Sequence, residues 1–400
     1  VTKAADLGSF TDAGQIFPYA ENAMTWAVAV GLIRGMGNNT LQPLGLSTRG
    51  QFATVVYRFF HVEINLMATS DIHGQAYATD YTADYSASGT HYQGLTRVAT
   101  FVKQQRQAYV NSFLVDCGDL VQGPPLPYYY AFNHPETNDP IMKALRMMDY
   151  DMFVPGNHEF NYGMTILQRQ LNYLTSDGTE TESSVAVGCA NYLDSTKQGG
   201  ETTNWSTWNG YAPYQLYDYN GVTVAVMGIG NPNIPKWDVP ANWEGIYFAN
   251  VIETYKHYET EMLEKADMIV VISHSGVGSE AVSGDFSEDS VKYLVEHTNS
   301  IDFVLSGHEH GKTVLTAQNL DGKTIPIVQP NTKAKAIGQV IVTYDKTDKK
   351  VVKVDAQDID MKNQPVDTEL AEILKPYEET TWKDYMLQVI GKATGDYPAA

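Results

Sequence analysis

An α/β fold preceded by a small all-helical unit is predicted by three observations. From about Val62 onward, strand-like and helix-like segments alternate. Five of the apolar strand-like runs end in Asp, Asn or His, the position where open α/β sheets place their ligand sites. Two tight-turn signals, Asn220-Gly221 and Asp321-Gly322, add antiparallel hairpins to an otherwise parallel plan. At 400 residues the chain exceeds one compact core of typical size, so at least two domains are expected. With 43% hydrophobic and 18% charged residues it has an ordinary globular composition.

The formal charge of −20 argues against nucleic-acid polymers as partners, because like charges repel; a small phosphorylated substrate needs only local cations. No apolar run is long enough to span a bilayer. The chain starts at Val1 and not at Met, which leaves room for a leader peptide ahead of it. Cys117 and Cys189 each end an apolar run and read as buried strand residues, with a single bridge as the alternative; their spacing fits no zinc site.

Residues 1–61 form the first unit. "AENAMTWAVAVGLIRG" carries apolar residues at helical spacing and stops at Gly35. "LQPLGLSTRGQFATVVYRFF" follows as a loop, an N-cap candidate at Ser47 or Thr48, and a second amphipathic helix. Phe10 and Asp12 open the unit as F-x-D. Read from periodicity alone, this is a helical hairpin capping the next domain. Through "FTD", "WAVAVGLIRG", "LQP" and "STRGQFA" it resembles a surface-layer homology (SLH) module over about residues 8–60. That resemblance implies attachment to an anionic cell-wall polymer, and therefore an extracellular, wall- or S-layer-associated bacterial protein. The family commonly has T-R-A-E where this chain has Thr48-Arg49-Gly50-Gln51; Arg49 keeps the cation that could meet the polymer, and the acidic partner is gone. Such modules usually come in threes, so one copy suggests an excerpt from a longer protein.

Residues 62–360 form the second unit. Strand-like runs are "EINLMATSD", "NSFLVDCGD", "DMFVPGN", "SVAVGCANY", "VTVAVMGIG", "MIVVISHS" and "IDFVLSGHEH". Helical stretches are expected at 95–109, 164–174, 251–265 and 287–297. Residues 361–400 read as a helix leading out of the domain and, at "LQVIGKATGDYP", as the approach to a further one.

Polar residues cluster at the strand ends. Asp71 and His73 follow "NLMATS", Asp119 follows "FLVDCG", Asn157 and His158 follow "MFVPG", His274 follows "MIVVIS", and His308 and His310 follow "FVLSG". Five of the ten histidines fall in these clusters. A lone histidine after a strand is usually a hydrogen-bonded loop residue; five strand ends bearing only Asp, Asn and His point to metal. Imidazole, carboxylate and amide oxygen without thiolate suit hard or borderline divalent ions. The set suffices for two divalent metal ions, with Asp119 bridging, Asp71, His73 and His310 completing one site, and Asn157, His274 and His308 the other. Two such ions about 3.5–4 Å apart can hold a hydroxide and clamp an in-line phosphoryl displacement. Gly118, Gly156 and Gly307 are expected to let the backbone turn sharply before a ligand.

"DIHG", "GDLVQG", "GNHEFNYG", "SHSG" and "GHEHG" together resemble the motif series of the calcineurin-like metallophosphoesterases, from about residue 63 to the end. Within that family the chain is similar to the nucleotidase branch, and most to the bifunctional 2′,3′-cyclic-nucleotide 2′-phosphodiesterase/3′-nucleotidases. The resemblance implies a four-layer α/β/β/α metallophosphatase sandwich and the ligand roles above. It implies that His158 is a catalytic histidine outside the ligand set, donating a proton or hydrogen bond toward the phosphoryl group and leaving oxygen. Glu159 is expected to support the turn. Position 161 lies three residues on, where a helix begins and side chains can meet. The 5′-nucleotidase pattern has aspartate there, whereas Asn161 accepts a hydrogen bond without bringing charge, which favours the cyclic phosphodiesterase branch. As a helix-start residue, Asn161 also has a purely structural reading.

The implied substrate is a small nucleotide. The implied metals are manganese, zinc, cobalt, iron or magnesium (Mn, Zn, Co, Fe or Mg), among which the ligands do not choose. In this family a C-terminal domain supplies the aromatic pair that stacks on the base, and that domain is expected beyond Ala400. The competing readings are a 5′-nucleotidase or nucleotide-sugar hydrolase with the same metal site, and a wall-binding surface protein with a vestigial enzyme domain.

Overall fold

The computed structural model describes residues 5–77, 93–278 and 287–391. Two helices, α1 (Pro18–Ala29) and α2 (Arg49–Phe60), build the N-terminal module. Asp12 ties its opening segment to the inter-helix loop by accepting from the backbone N–H groups of Leu41 and Gln42, both at 2.8 Å. Thr48 caps α2 in a capping box with Gln51, worth about 1 kcal/mol. Helix α2 then passes directly into strand β1 (His61–Thr69).

The chain continues through α3 (Leu95–Ala108), β2 (Ser112–Asp116), α4 (Pro125–Phe132), α5 (Pro140–Met147), β3 (Met152–Phe153), α6 (Met164–Thr175), β4 (Ala186–Val187) and β5 (Tyr192–Asp194). Next come β6 (Tyr214–Tyr219), β7 (Val222–Ile229), α7 (Ile234–Trp237), β8 (Ile246–Phe248), α8 (Val251–Lys265), β9 (Met268–Ser273) and α9 (Val291–Glu296). The last elements are β10 (Phe303–Ser306), β11 (Thr313–Gln318), β12 (Thr324–Gln329), β13 (Ala336–Asp345), β14 (Lys350–Asp360) and α10 (Thr368–Thr381).

Two six-stranded sheets result, in the orders β14-β13-β1-β2-β3-β4 and β11-β12-β10-β9-β7-β6. The strands that end in the polar clusters pair in parallel: β1 with β2 and β2 with β3 in the first sheet, β9 with β10 in the second. Parallel pairing puts their carboxyl ends on one edge. The Asn220-Gly221 and Asp321-Gly322 turns close the antiparallel hairpins β6–β7 and β11–β12, as their sequence predicts.

The side-chain period of two then builds four layers. Ile64, Leu66 and Ala68 of β1 face Val224, Val226, Val270 and Ile272 across the sandwich. Met67 and Leu114 turn the other way, onto Val98, Leu145 and Leu167 of the helices. On the far side Ala225, Met227 and Ile269 pack on Tyr255, Met262 and Leu294. Fully burying each such Leu or Ile contributes about 1.5–3 kcal/mol. The observed architecture is the α/β/β/α sandwich.

Three expectations change. Strands β3 and β4 keep only two residues each of the longer runs "DMFVPGN" and "SVAVGCANY". Cys117 and Cys189 are buried free thiols, but they lie just past β2 and β4 rather than within them. The C-terminal helix does not stand away from the domain: α10 packs on α3, α4 and α5 with Leu370 and Leu374 buried, because its apolar face matches theirs. Most of "LQVIGKATGDYP" falls at residues 392–400, outside the described residues.

Candidate metal centre

Five strand ends meet at the edge shared by the two sheets, and the loops that follow them are stitched together through the backbone. The Asp71 N–H donates to Gly118 O at 2.8 Å, the His73 N–H to Asp119 O at 2.9 Å, and the Gly74 N–H to Leu120 O at 2.7 Å. Glu159 is fully buried and accepts from four backbone N–H groups: Gly156 at 2.6 Å, Leu120 at 2.7 Å, Asp119 at 3.0 Å and Val121 at 3.3 Å. Burial and the nearby Asp119 charge push its carboxyl up to about 7, against the pull of those donors. Glu159 thus supports the turn, and its carboxylate holds the Asp119 loop to the Asn157 loop.

The side chains at these ends stand in unusual backbone geometry. Asp71 (φ 51°), His73 (φ 47°), Asp119 (φ 59°), His308 (φ 93°) and His310 (φ 54°) all occupy the left-handed region. For a residue with a Cβ this costs about 1–3 kcal/mol each and clusters at functional sites. Of the three glycines expected to turn sharply, Gly118 alone takes a left-handed φ, 103°. Gly156 and Gly307 are required by crowding instead. A Cβ on Gly156 would lie 2.3 Å from Asp119 Oδ1, and one on Gly307 would lie 1.8 Å from Ser70 Oγ.

Two groups of donor atoms converge: Asp71, His73, Asp119 and His310 in one, and Asp119, His274 and His308 in the other, with the candidate atoms of each group within 4.8 Å of one another. Asp119 belongs to both. Asn157 joins the second group, with Oδ1 3.1 Å from His274 Nε2. Every ligand expected from the sequence is therefore at this edge.

The chemistry of the set fits cations. His73 Nδ1 donates to Gln122 O at 2.8 Å, and His274 Nδ1 donates to Cys117 O at 2.6 Å. A backbone carbonyl thereby fixes each ring with Nε2 facing inward, the usual support of a metal-binding imidazole. His73 Nε2 lies 2.8 Å from His310 Nε2, and His274 Nε2 lies 3.2 Å from Asp119 Oδ2. Asp71 Oδ1 is buried without a hydrogen bond, while Asp71 Oδ2 accepts from Ser70 Oγ at 2.6 Å. Lone pairs crowded together, and a buried carboxylate oxygen whose contact with His310 Nε2 is long at 3.4 Å, are what a divalent ion would satisfy.

Protonation says the same. Burial opposes charge on Asp71 and Asp119, yet His310 beside the first and His274 beside the second hold both carboxyls below the usual range. Burial alone would discharge His274, but Asp119 reverses this and raises the ring to about 10. The buried carboxylates thus favour positive charge at this edge, and binding a divalent ion there would be linked to proton release.

His158 sits beside the donor set. Its backbone N–H donates to Asp119 Oδ1 at 2.8 Å, while its Nε2 is 3.9 Å from Asp119 Oδ2. Residues His158–Tyr162 form a 3₁₀ turn, with α6 starting only at Met164. In that turn i and i+3 eclipse, so His158 Nδ1 meets Asn161 Oδ1 at 2.6 Å. Asn161 Nδ2 donates onward to Asp238 Oδ2 at 3.1 Å. A cleft of ≈ 280 Å³ opens over His158, Asn157 and His308, walled by Trp237 and Asp238. Trp237 is 43% exposed and stacks on His308, centroids 5.4 Å apart at 27°.

Trp237 and Asp238 carried no assignment from sequence, because their run "NPNIPKWDVPANWEG" has no strand-end pattern. The carbonyls of Cys117 and Gln122 leave no side-chain signal at all. Arg49 is exposed in the first turn of α2, in the N-terminal module.

Residues 64–312 match the family model described as calcineurin-like phosphoesterase, and residues 9–53 match that of the S-layer homology domain. The chain is 32% identical over 313 residues to the trifunctional nucleotide phosphoesterase protein YfkN of Bacillus subtilis, covering 72% of this chain and 20% of that protein. It is 32% identical over 258 residues to the 2′,3′-cyclic-nucleotide 2′-phosphodiesterase/3′-nucleotidase of Salmonella typhimurium, covering 62% and 37%. The crystal structure of calcineurin-like phosphoesterase YfkN superposes with a TM-score of 0.67 at 27% identity, over 82% of this chain and all of that one. The chain thus spans well under two thirds of the length of either of these curated relatives.

Proposed function

The chain belongs to the calcineurin-like phosphoesterase family, and on that premise we propose that it hydrolyses 2′,3′-cyclic nucleotides and then 3′-nucleotides. The S-layer homology domain indicates association with the cell wall or S-layer. Arg49 is our candidate for the anionic wall polymer, as an exposed cation at the start of α2. We further take residues 1–61 as the wall-binding module and 62–360 as the catalytic domain, with α10 packed on its helices.

Asp71, His73, Asp119 and His310 would hold one divalent ion, and Asp119, Asn157, His274 and His308 the second. Bound there, the pair would supply Lewis-acid polarisation of the phosphoryl oxygens and a nucleophile at neutral pH. His158 projects Nε2 toward the same space. As a P–O bond breaks, its electron pair goes to the leaving oxygen, and His158 delivers the proton from Nε2. Asn161, accepting at Nδ1, keeps the ring turned for that transfer.

The observation that carries the cyclic-nucleotide reading is this neutral amide at 2.6 Å from Nδ1, in place of a carboxylate. It agrees with the activity for which the Salmonella relative is named. Comparing 2′,3′-cyclic AMP, 3′-AMP and 5′-AMP, each with Mn, Zn, Co, Fe and Mg, tests it. The first two should be turned over fastest. Preference for 5′-AMP would make the protein a 5′-nucleotidase. Fewer than one bound ion and no turnover would leave a wall protein with a vestigial domain.

Asn161→Asp should retain both metals and move the alkaline limb of the pH–rate profile upward. A carboxylate beside the ring favours its protonated form, so the acid survives to higher pH. An unmoved limb would remove position 161 from the proton chemistry.

A further inference from the structure

Asn161 has two faces, and something must decide which one His158 meets. Its amide offers an acceptor on one side and two donors on the other; turned over, it would present N–H to Nδ1. Nothing in the 3₁₀ turn itself chooses. The choice comes from Asp238, seventy-seven positions away along the chain and 3.1 Å from Asn161 Nδ2. A carboxylate only accepts, so Asn161 must turn its NH₂ toward Asp238 and its Oδ1 toward His158.

Asp238 is itself built in. Its Oδ1 accepts from the backbone N–H of Val239 and from Asn242 Nδ2, both at 2.7 Å. Its carbonyl accepts from the indole N–H of Trp243 at 3.3 Å. Asn242 could turn its amide over; the Val239 N–H cannot. One carboxylate oxygen is therefore committed to donors on its own loop, which leaves the other for Asn161.

We propose that Asp238 is a positioning residue for the reaction, fixing through Asn161 the hydrogen-bond polarity that His158 meets at Nδ1. This rests on the phosphoesterase reading, in which His158 gives up its proton from Nε2. A ring with protons on both nitrogens needs an acceptor at Nδ1, and an inverted amide would oppose donor to donor. The neutral amide at position 161 is thus not left alone: the charge stands one residue further back and acts by orientation.

Asp238→Asn is the sharp test. The new side chain must keep its oxygen toward the Val239 N–H, so its NH₂ faces Asn161 and drives that amide to invert. For the full chain loaded with zinc, a diamagnetic ion, nitrogen-15 spectra of the imidazoles should show the neutral His158 proton moving from Nδ1 to Nε2. On 2′,3′-cyclic AMP, kcat should fall about 10–100-fold, part of the range general acids supply, with KM and metal content kept. With bis(p-nitrophenyl) phosphate, whose leaving group needs little protonation, the loss should be several-fold smaller. Asp238→Ala removes the acceptor without installing a donor and should cost less than Asp238→Asn. In an Asn161→Ala background, Asp238→Asn should have no further effect, since the intermediary is gone. A wild-type tautomer in Asp238→Asn, or equal losses in both backgrounds and on both substrates, would overturn the proposal. If the wild-type chain hydrolyses no phosphoester with metal bound, the activity assignment falls, and the tautomer comparison still decides the role of Asp238.

Discussion

Asp119→Asn should give a folded chain that binds less metal than wild type and loses about 10³-fold or more in rate, since metal chemistry of this kind supplies several kcal/mol. The reason lies in how many jobs one carboxylate holds. Asp119 belongs to both donor groups, so its loss weakens both sites at once. Its Oδ2 is 3.2 Å from His274 Nε2, and its Oδ1 accepts the His158 N–H at 2.8 Å. An amide keeps the volume but offers one acceptor and no charge, so the cations lose the anion shared between them. Circular dichroism would establish that the chain is folded, elemental analysis would count the ions, and 2′,3′-cyclic AMP would report the rate. Wild-type metal content together with wild-type turnover would remove Asp119 from the bridging position.

His158→Ala should instead retain both metals and lose about 10²–10⁴-fold in kcat on nucleotides, the usual contribution of a positioned general acid. The imidazole stands beside the candidate ligands: Nε2 is 3.9 Å from Asp119 Oδ2, and Nδ1 is 2.6 Å from Asn161 Oδ1. KM should change little, because the lost interaction is made as the leaving oxygen departs. Substrates with good leaving groups should lose less. The two variants separate metal binding from proton transfer, and loss of metal on His158→Ala would show that this ring is a ligand.

The different visibility of these residues in the sequence has a physical origin. The candidate metal ligands were legible because an α/β sheet places its site at the carboxyl ends of strands, and apolar runs reveal where strands end. The N-terminal helices were legible through the Thr48 cap and the break at Gly35. Gly156 and Gly307 looked like turn glycines, but their role depends on what approaches them: Asp119 from another loop in one case and Ser70 in the other. The C-terminal helix looked free-standing because its partners α3, α4 and α5 lie more than two hundred residues earlier.

By itself, the sequence determined the α/β alternation, the N-terminal helical unit and the identity of every candidate ligand, since each follows from local periodicity and residue type, while the four-layer arrangement and the wall-binding role came from motif resemblance. Tertiary structure alone decided how those ligands are held. The carbonyls of Cys117 and Gln122 choose the ring nitrogens, Glu159 gathers four backbone donors, and Asp238 orients Asn161. Such choices depend on which donor meets which acceptor across distant loops. Hydrogen-bond polarity of that kind is a property of positions in space, and spacing along a chain does not encode it.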